Sequence, residues 1–444
     1  MYPIRGGPSR IPCILSEGEP FAYSMGPIWG GTFRIIYVSY RAGTFRIFYV
    51  SYRGRTFRIF YVSYWGEPFP HPMFIMEAPG ELMPRLIDIT TTVPPYRVSQ
   101  ERATAELKQR MGTSPAVGRM IDMAAARSGI TTRRFVVPDA EPDVQERFYA
   151  RTLEGPHPDT ARRMALYRTW SSRLAVEATS TVLEKTRTSP ASIDRLITVS
   201  CTGFSAPNFD YDIISRLGLP PSVKRTHIGF MGCAASLVGF TSVLEACQAP
   251  QPRRVLLVSV ELCSLHLQLD PTRDNILANM IFADGCAASL FSSGPESPGR
   301  IRLVHTDSML FENSREFMGW EIGNFGFEMK LSADLPRLIS EHAVPALRDI
   351  LQARGLTPEK IRHWVLHPGG RAILDALESG LGLSKEQMEP SRNVLNCYGN
   401  MSSASILFVM KEMLGTTSIE SGDLICAIGF GPGLTMEVAL FEGV

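Results

Sequence analysis

Two segments of this 444-residue chain return in altered form about 168 residues downstream. SPASIDRLITVS (189–200) is matched by TPEKIRHWVLHP (357–368), an offset of 168. GCAASLVGFTSVLEA (232–246) is matched by GNMSSASILFVMKEM (399–413), an offset of 167. Two separate segments sharing nearly one offset point to a duplicated fold. In each half an extended run is followed by a small-residue turn and then an apolar helix, so strands and helices alternate and the class is α/β. Halves related by a pseudo-twofold axis bring their helix starts toward one cleft, and this alignment makes Cys233 and Asn400 equivalent positions. Within that frame, residues 101–128 and 176–186 read as helices. Residues 195–201, 254–261 and 287–292 read as buried strands.

The length allows two or three domains, or one large fused core. A formal net charge of +1 offers no reason to expect nucleic acid or an anionic membrane as partner. No apolar run approaches the roughly 18 residues of a membrane helix, and the N-terminus lacks a basic start followed by an apolar h-region. Eight cysteines are scattered through apolar contexts without a C-x-x-C pair. That reads as free thiols in a reducing cytoplasm, with neither a disulfide framework nor a metal site.

Residues 1–82 do not match the rest. TFRIIYVSYRAG, TFRIFYVSYRGR and TFRIFYVSYWGE begin at Thr32, Thr44 and Thr56, a twelve-residue repeat rich in β-branched and aromatic residues. Short strands joined by turns are expected there, though three such strands bury little surface. The near-identity of the units points to recent tandem duplication. Residues 1–82 are read as a mis-called start or a dispensable extension, with Met76 and Met83 as the other starts; a β-rich partner-binding tag is the alternative.

Three residues invite chemistry. Cys233, in FMGCAAS, opens an apolar helix, where free backbone N–H groups and the helix dipole favour a thiolate; the competing reading is a buried packing cysteine. His367, in WVLHPGG, ends an apolar strand, and strand ends are where α/β sites gather; a histidine satisfied within the core is the alternative. Asn400, in CYGNMSSAS, stands at the second helix start, as an N-cap or as a donor to a developing oxyanion. Taken together they fit acyl transfer: a thiol takes the acyl group while His and Asn stabilise negative charge on a thioester oxygen.

With NVLNCYGNMSSASILF, WVLHPGGRAILD and AIGFGPGLTMEVALF in view, residues 83–444 resemble type III polyketide synthases, the chalcone/stilbene synthase superfamily. The resemblance implies a thiolase-like fold of two duplicated α/β halves in a layered αβαβα core. Residues 83–305 would form the half with the nucleophile Cys, and 306–444 the half with His and Asn. It implies Cys233 as acyl carrier, and His367 and Asn400 as the groups that promote decarboxylation of malonyl-CoA. The resulting carbanion attacks the acyl thioester in a Claisen condensation. Coenzyme A thioesters are then the substrates, no cofactor is permanently bound, and the enzyme is a cytoplasmic homodimer. Phe282 (MIFADG) and Phe327 (NFGFEMKL) match gatekeepers between the CoA tunnel and the cavity. Cys201, Cys263, His266 and Met318 match cavity-lining positions, Arg119 matches a CoA-phosphate contact, and Ala206 lies where the neighbouring subunit completes the cavity.

VELCSLHLQ and MGWEIGNFGFEM are most similar to bacterial members making alkylpyrones and alkylresorcinols from medium- or long-chain acyl-CoA. His266 departs from the commoner small Thr, and a larger, titratable ring is expected to shrink the cavity or redirect cyclisation. Two other readings stay open: a ketoacyl synthase III-like initiator of fatty-acid synthesis, which takes its extender from acyl carrier protein, and a non-catalytic acyl-CoA-binding homologue.

Overall fold

RVLLVSVEL and DGCAASLFS hold few side chains that water would reward, and both become strands almost wholly removed from solvent. The computed structural model describes residues 83–444 apart from 112–113, 142–143, 154, 249–250, 252 and 295–296, together with four strands between residues 21 and 63. The chain divides into two compact units, Met1–Glu81 and Leu82–Val444.

In the first unit β1 (Phe21–Ile28), β2 (Gly31–Tyr40), β3 (Gly43–Tyr52) and β4 (Arg55–Ser63) form an antiparallel sheet in that order. Each twelve-residue repeat supplies one strand, and the register sets Thr44 opposite Ser63. Residues 1–20 and 64–82 of the 1–82 segment lie outside the described residues.

The second unit is built on β5 (Arg85–Thr92), β8 (Arg195–Ser200), β9 (Lys224–Gly229), β10 (Arg254–Leu262), β11 (Asp284–Ser292), β12 (Ile301–Leu310), β15 (His363–Leu366), β16 (Leu424–Gly431) and β17 (Thr435–Gly443). Two small ribbons, β6 (Tyr96–Ser99) with β7 (Thr132–Phe135) and β13 (Met318–Gly323) with β14 (Gly326–Leu331), stand apart. The nine strands run in the order β15-β16-β17-β12-β5-β11-β10-β8-β9. Parallel pairs lie toward the two ends, β15 with β16 at one and β10 with β8, then β8 with β9, at the other, and antiparallel pairs join them through the middle. The two ends therefore mirror each other, as a duplication requires.

The helix Ala235–Cys247 touches β8, β9 and β10 of its own half and β12, β16 and β17 of the other. The helix Ser405–Thr416 touches β15 of its half and β5 and β11 of the other. Both are covered by sheet on two sides, which is why their sequences are apolar all round. Phe240, Leu407 and Met410 share one core with strand residues of both halves. Thr160–Lys185 lies against β5, β10 and β11, and Lys385–Tyr398 against β15. The order is thus helix, sheet, helix, sheet, helix.

Two expectations change. The helix expected over 101–128 is two, Gln100–Met111 and Pro115–Arg127; Ser114 caps the second and Pro115 takes the first-turn place where its missing N–H is harmless. The helical register of the duplication is also corrected. The 3₁₀ turns before the two central helices are Gly232–Ala234 and Ser402–Ala404, an offset of 170. Gly232 and Ser402 adopt the same left-handed backbone, with φ of 60° and 46°. The structural counterpart of Cys233 is therefore Ser403, and Asn400 lies three residues upstream. An ungapped alignment slides because both turns are strings of small residues.

Candidate functional site

The turn bearing Cys233 is shaped by what packs on it. A Cβ on Gly232 would come within 2.4 Å of Pro432, and one on Gly431 within 2.7 Å of the Met231 carbonyl. The GFGPG segment at the end of β16 therefore forms a close lid over the turn, and glycine on both sides allows that approach. Cys233 sits at the N-terminal end of the continuous helical run Gly232–Cys247, 7% exposed.

His367 follows β15, its N–H donating to the Ile428 carbonyl at 2.9 Å. Asn400 is clamped through its backbone. Its N–H donates to the Ile281 carbonyl (2.9 Å) and its carbonyl accepts from Ala283 N–H (2.8 Å), forming a bridge with Phe282. The Asn400 amide has one orientation consistent with its partners: Oδ1 accepts the Ser402 N–H at 2.8 Å, and Nδ2 donates to the Gly369 carbonyl at 3.2 Å. Its second Nδ2 hydrogen is left for the Cys233 sulfur, 4.0 Å away.

Cys233, His367 and Asn400 line one cavity of about 350 Å³. Both ring nitrogens of His367 are buried without a partner. Burial alone lowers its pKa to about 3, so the ring is neutral, with one donor and one acceptor available. Burial also pushes the Cys233 thiol up to about 12, against the opposing hydrogen bonds of Ser402 and Asn400. Burial thus works against the helix-start position of the thiol and favours its protonated form. A protonated thiol and a neutral imidazole with a free acceptor share one cavity lining.

The remaining expected residues divide among chambers. Phe282 and Met318 line the main cavity, whereas Arg119 is exposed and absent from its lining. The arginines that do line it are Arg127, Arg273 and Arg371. Cys201, Cys263 and Met318 line a smaller chamber beside Cys233. Cys263, His266 and Phe327 line a third. Phe327 is fully buried and does not line the main cavity; it stacks on His266, with ring centres 4.2 Å apart.

His266 also differs from expectation. Its Nε2 donates to the Thr202 carbonyl at 2.7 Å, and its Nδ1 accepts the Phe327 N–H at 2.9 Å. Both nitrogens are engaged, and burial lowers the pKa to about 3, so the ring does not titrate near neutrality. It braces the wall.

Sequence reasoning missed Trp320, Ser402 and Glu261. Trp320 lies within MGWEIG, where a two-residue ribbon pattern carries no chemical cue, yet its indole N–H donates to the Cys201 carbonyl at 2.7 Å. Glu261 is fully buried, accepting Cys201 N–H (3.1 and 3.0 Å), the Thr202 hydroxyl (2.7 Å) and the Ser403 hydroxyl. Burial raises its pKa to about 7. A lone Glu in the otherwise apolar RVLLVSVEL was the available signal, since a buried charge needs partners.

Comparison with known proteins agrees with this architecture. Residues 302–444 match the family "Chalcone and stilbene synthases, C-terminal domain", and residues 149–309 match "FAE1/Type III polyketide synthase-like protein". The alpha-pyrone synthesis polyketide synthase-like Pks18 of Mycobacterium tuberculosis is 31% identical over 367 residues, covering 80% of this chain and 91% of its own. The 1,3,6,8-tetrahydroxynaphthalene synthase of Streptomyces peucetius is 30% identical, covering 80% and 92%. Among solved structures, PKS-I of the brown alga Ectocarpus siliculosus superposes with a TM-score of 0.75 at 28% identity, covering 82% of this chain and 98% of that one. The 1,3,6,8-tetrahydroxynaphthalene synthase of Streptomyces coelicolor gives 0.72 at 26% identity, covering 81% and 99%. With its thiolase-like fold and its acyltransferase relatives, this chain belongs to the type III polyketide synthase family.

Proposed function

We propose that Cys233 carries the acyl chain, that His367 and Asn400 serve the condensation, and that the starter is a medium- or long-chain acyl-CoA extended by malonyl-CoA to an alkylpyrone or alkylresorcinol. The observation that supports this most is the shared cavity, in which a buried thiol lies 4.0 Å from an oriented amide, with an unpartnered neutral histidine on the same lining.

In the loading step the Cys233 proton passes to His367 as sulfur attacks the thioester carbonyl of the starter. The C–S bond to coenzyme A breaks, and the departing CoA thiolate takes the proton from the imidazolium. The thiol is a nucleophile only at the moment of attack, which suits a resting pKa pushed far above neutrality. Malonyl-CoA then loses its carboxylate as CO2. The electron pair of the broken C–C bond forms an enolate, whose oxygen accepts hydrogen bonds from the free Asn400 Nδ2 hydrogen and the His367 N–H. Pre-set donors in a site closed to water stabilise that charge far more than they would in bulk solvent. The enolate carbon attacks the acyl-Cys233 carbonyl, the C–S bond to Cys233 breaks and frees its thiolate, and that thiolate takes the lengthened chain back from CoA for the next round, releasing CoA.

Arg127, Arg273 and Arg371 are assigned to the CoA phosphates in place of Arg119, because they line the cavity that opens on Cys233. A second copy of the chain is assigned to the apolar patch of Phe204, Phe230 and Met231, which are 47%, 39% and 37% exposed near Ala206. Residues 1–82 are treated as dispensable and the enzyme as cytoplasmic; among the described residues no helix is long and apolar enough to cross a membrane.

The test is incubation of purified protein with acyl-CoAs of graded length and malonyl-CoA, without carrier protein, with products identified by mass spectrometry. Pyrones or resorcinols support the reading. Condensation only when malonyl-carrier protein is supplied would favour the fatty-acid initiator, and no condensation would favour the non-catalytic homologue.

A further inference from the structure

Four side chains line both the small chamber beside Cys233, about 30 Å³, and the third chamber, about 100 Å³, and so form the wall between them: Cys263, Phe282, Trp320 and Met329. Trp320 is the largest of them and is held at three points. Its indole N–H donates to the Cys201 carbonyl at 2.7 Å, and its ring meets His266 and Phe327 edge-on at 5.4 and 5.8 Å. His266 is fixed in turn, by the Thr202 carbonyl on one nitrogen and the Phe327 N–H on the other. The two rings therefore tie β13 and β14 to consecutive carbonyls at the end of β8. Swinging Trp320 aside would leave the Cys201 carbonyl without its partner in a buried site. Beyond the wall lie Leu107, Val137 and Met280, apolar surface that an alkyl chain could cover, with Glu106, Arg110 and Asp139 farther along the same lining.

We propose that Trp320, braced by His266, is the specificity-determining partition that keeps an acyl chain on Cys233 out of the third chamber and so limits its length. The inference rests on the reading of Cys233 as acyl carrier, and it narrows the starter to the shorter end of the proposed range. A flexible Met at this place would yield to a longer chain; a tryptophan hydrogen-bonded to backbone does not.

The experiment compares the full chain with Trp320→Ala, Trp320→Phe and Met329→Ala, using hexanoyl-CoA or lauroyl-CoA with malonyl-CoA. Trp320→Ala is expected to raise the lauroyl-to-hexanoyl ratio of kcat/KM at least about tenfold. The change should fall mainly on the lauroyl KM, and hexanoyl products should gain further malonyl-derived units. Met329→Ala, which opens the same wall from β14, should move the ratio the same way by less, and Trp320→Phe, which keeps a ring but loses the hydrogen bond to the Cys201 carbonyl, should fall between the wild type and Trp320→Ala. If Trp320→Ala fails to fold, judged by thermal melting, Met329→Ala decides. An active wild type whose folded variants leave ratio and product length unmoved overturns the partition alone. A wild type that condenses neither starter overturns the function reading, and the partition with it.

Discussion

In the first half the left-handed position of the central turn is Gly232, and the next residue is a thiol facing a cavity. In the second half it is Ser402, and the next residue, Ser403, has its hydroxyl on the buried Glu261 carboxylate and 2.9 Å from the Ser259 hydroxyl. Both turns lead into apolar helices covered by sheet on two sides. The backbone has been kept and its use divided: one copy presents a reactive group to space, and the other is filled with polar partners. The two copies meet where the Asn400 amide, held by Ser402 N–H, stands 4.0 Å from Cys233. A duplicated frame gives each half a rigid end, and the site needs both.

The sharpest way to break this comparison is to delete the matched side chains. Cys233→Ala should reduce condensation by at least about 10³-fold with little loss of stability. Ser403→Ala, at the equivalent place, should keep acyl loading at Cys233 while destabilising the fold by about 1–3 kcal/mol, because Glu261 loses a buried partner. Acyl-enzyme mass and urea midpoints separate the two outcomes. Asn400→Ala comes next. It should lower condensation by about 10²–10³-fold yet leave the loading of Cys233 nearly intact, read by intact-protein mass after mixing with acyl-CoA alone. Equal losses in loading and condensation would contradict the assignment of Asn400 to the enolate.

The left-handed positions give a smaller contrast. Gly232→Ala adds a Cβ 2.4 Å from Pro432 at φ 60° and should destabilise the fold by about 1–3 kcal/mol. Ser402→Gly removes the strain of a non-glycine residue at φ 46°, and its melting temperature should stay level or rise.

Acid stability compares buried rings with buried carboxylates. His266 and His367, held near 3 against an ordinary 6.5, stay unprotonated in the fold while the unfolded chain takes up both protons. Their contribution is present above 6.5 and is lost as pH falls toward 3, by up to about 1.4 kcal/mol per pH unit for each ring. Glu261 and Asp284, raised to about 7, act in the opposite sense. The fold binds their protons first, so their contribution is present below the ordinary carboxylate range and lost as pH rises through 7. The two pairs offset each other between roughly 6.5 and 4.5, Asp284 continues to offset one ring down to its ordinary 3.8, and below that the histidine loss stands alone. Urea midpoints should therefore drop steeply below about pH 4. His266→Thr should lessen that slope, whatever its effect at neutral pH. The smallest expected effect is that of deleting residues 1–82, which should leave condensation rates unchanged within about twofold; a large loss would give the repeats a function.

Much of the fold was legible because a duplicated strand–turn–helix leaves two traces of itself, and because strands such as RVLLVSVEL have no polar face to show. Cys233, His367 and Asn400 could be picked out from small-residue turns and a strand-end HPGG. The register between the halves could not, since Gly, Ala and Ser in both turns allow a three-residue slide that only the matched left-handed φ values remove. Arg127, Arg273 and Arg371 were missed because an arginine facing a cavity and one facing water look alike in sequence. The contacts of Trp320 and His266 were hidden for a different reason. Their importance lies in backbone carbonyls at Cys201 and Thr202, residues distant in sequence and brought close only by the sheet.

Peptide mass spectrometry after brief mixing with acyl-CoA, in the absence of malonyl-CoA, shows whether the turn of the first half holds the acyl carrier. The acyl mass should appear on the peptide containing Cys233 and disappear once malonyl-CoA is added. An acyl group found instead on Cys201 or Cys263, which share the chamber, or no acyl-enzyme in a protein that still condenses, would contradict the assignment of Cys233.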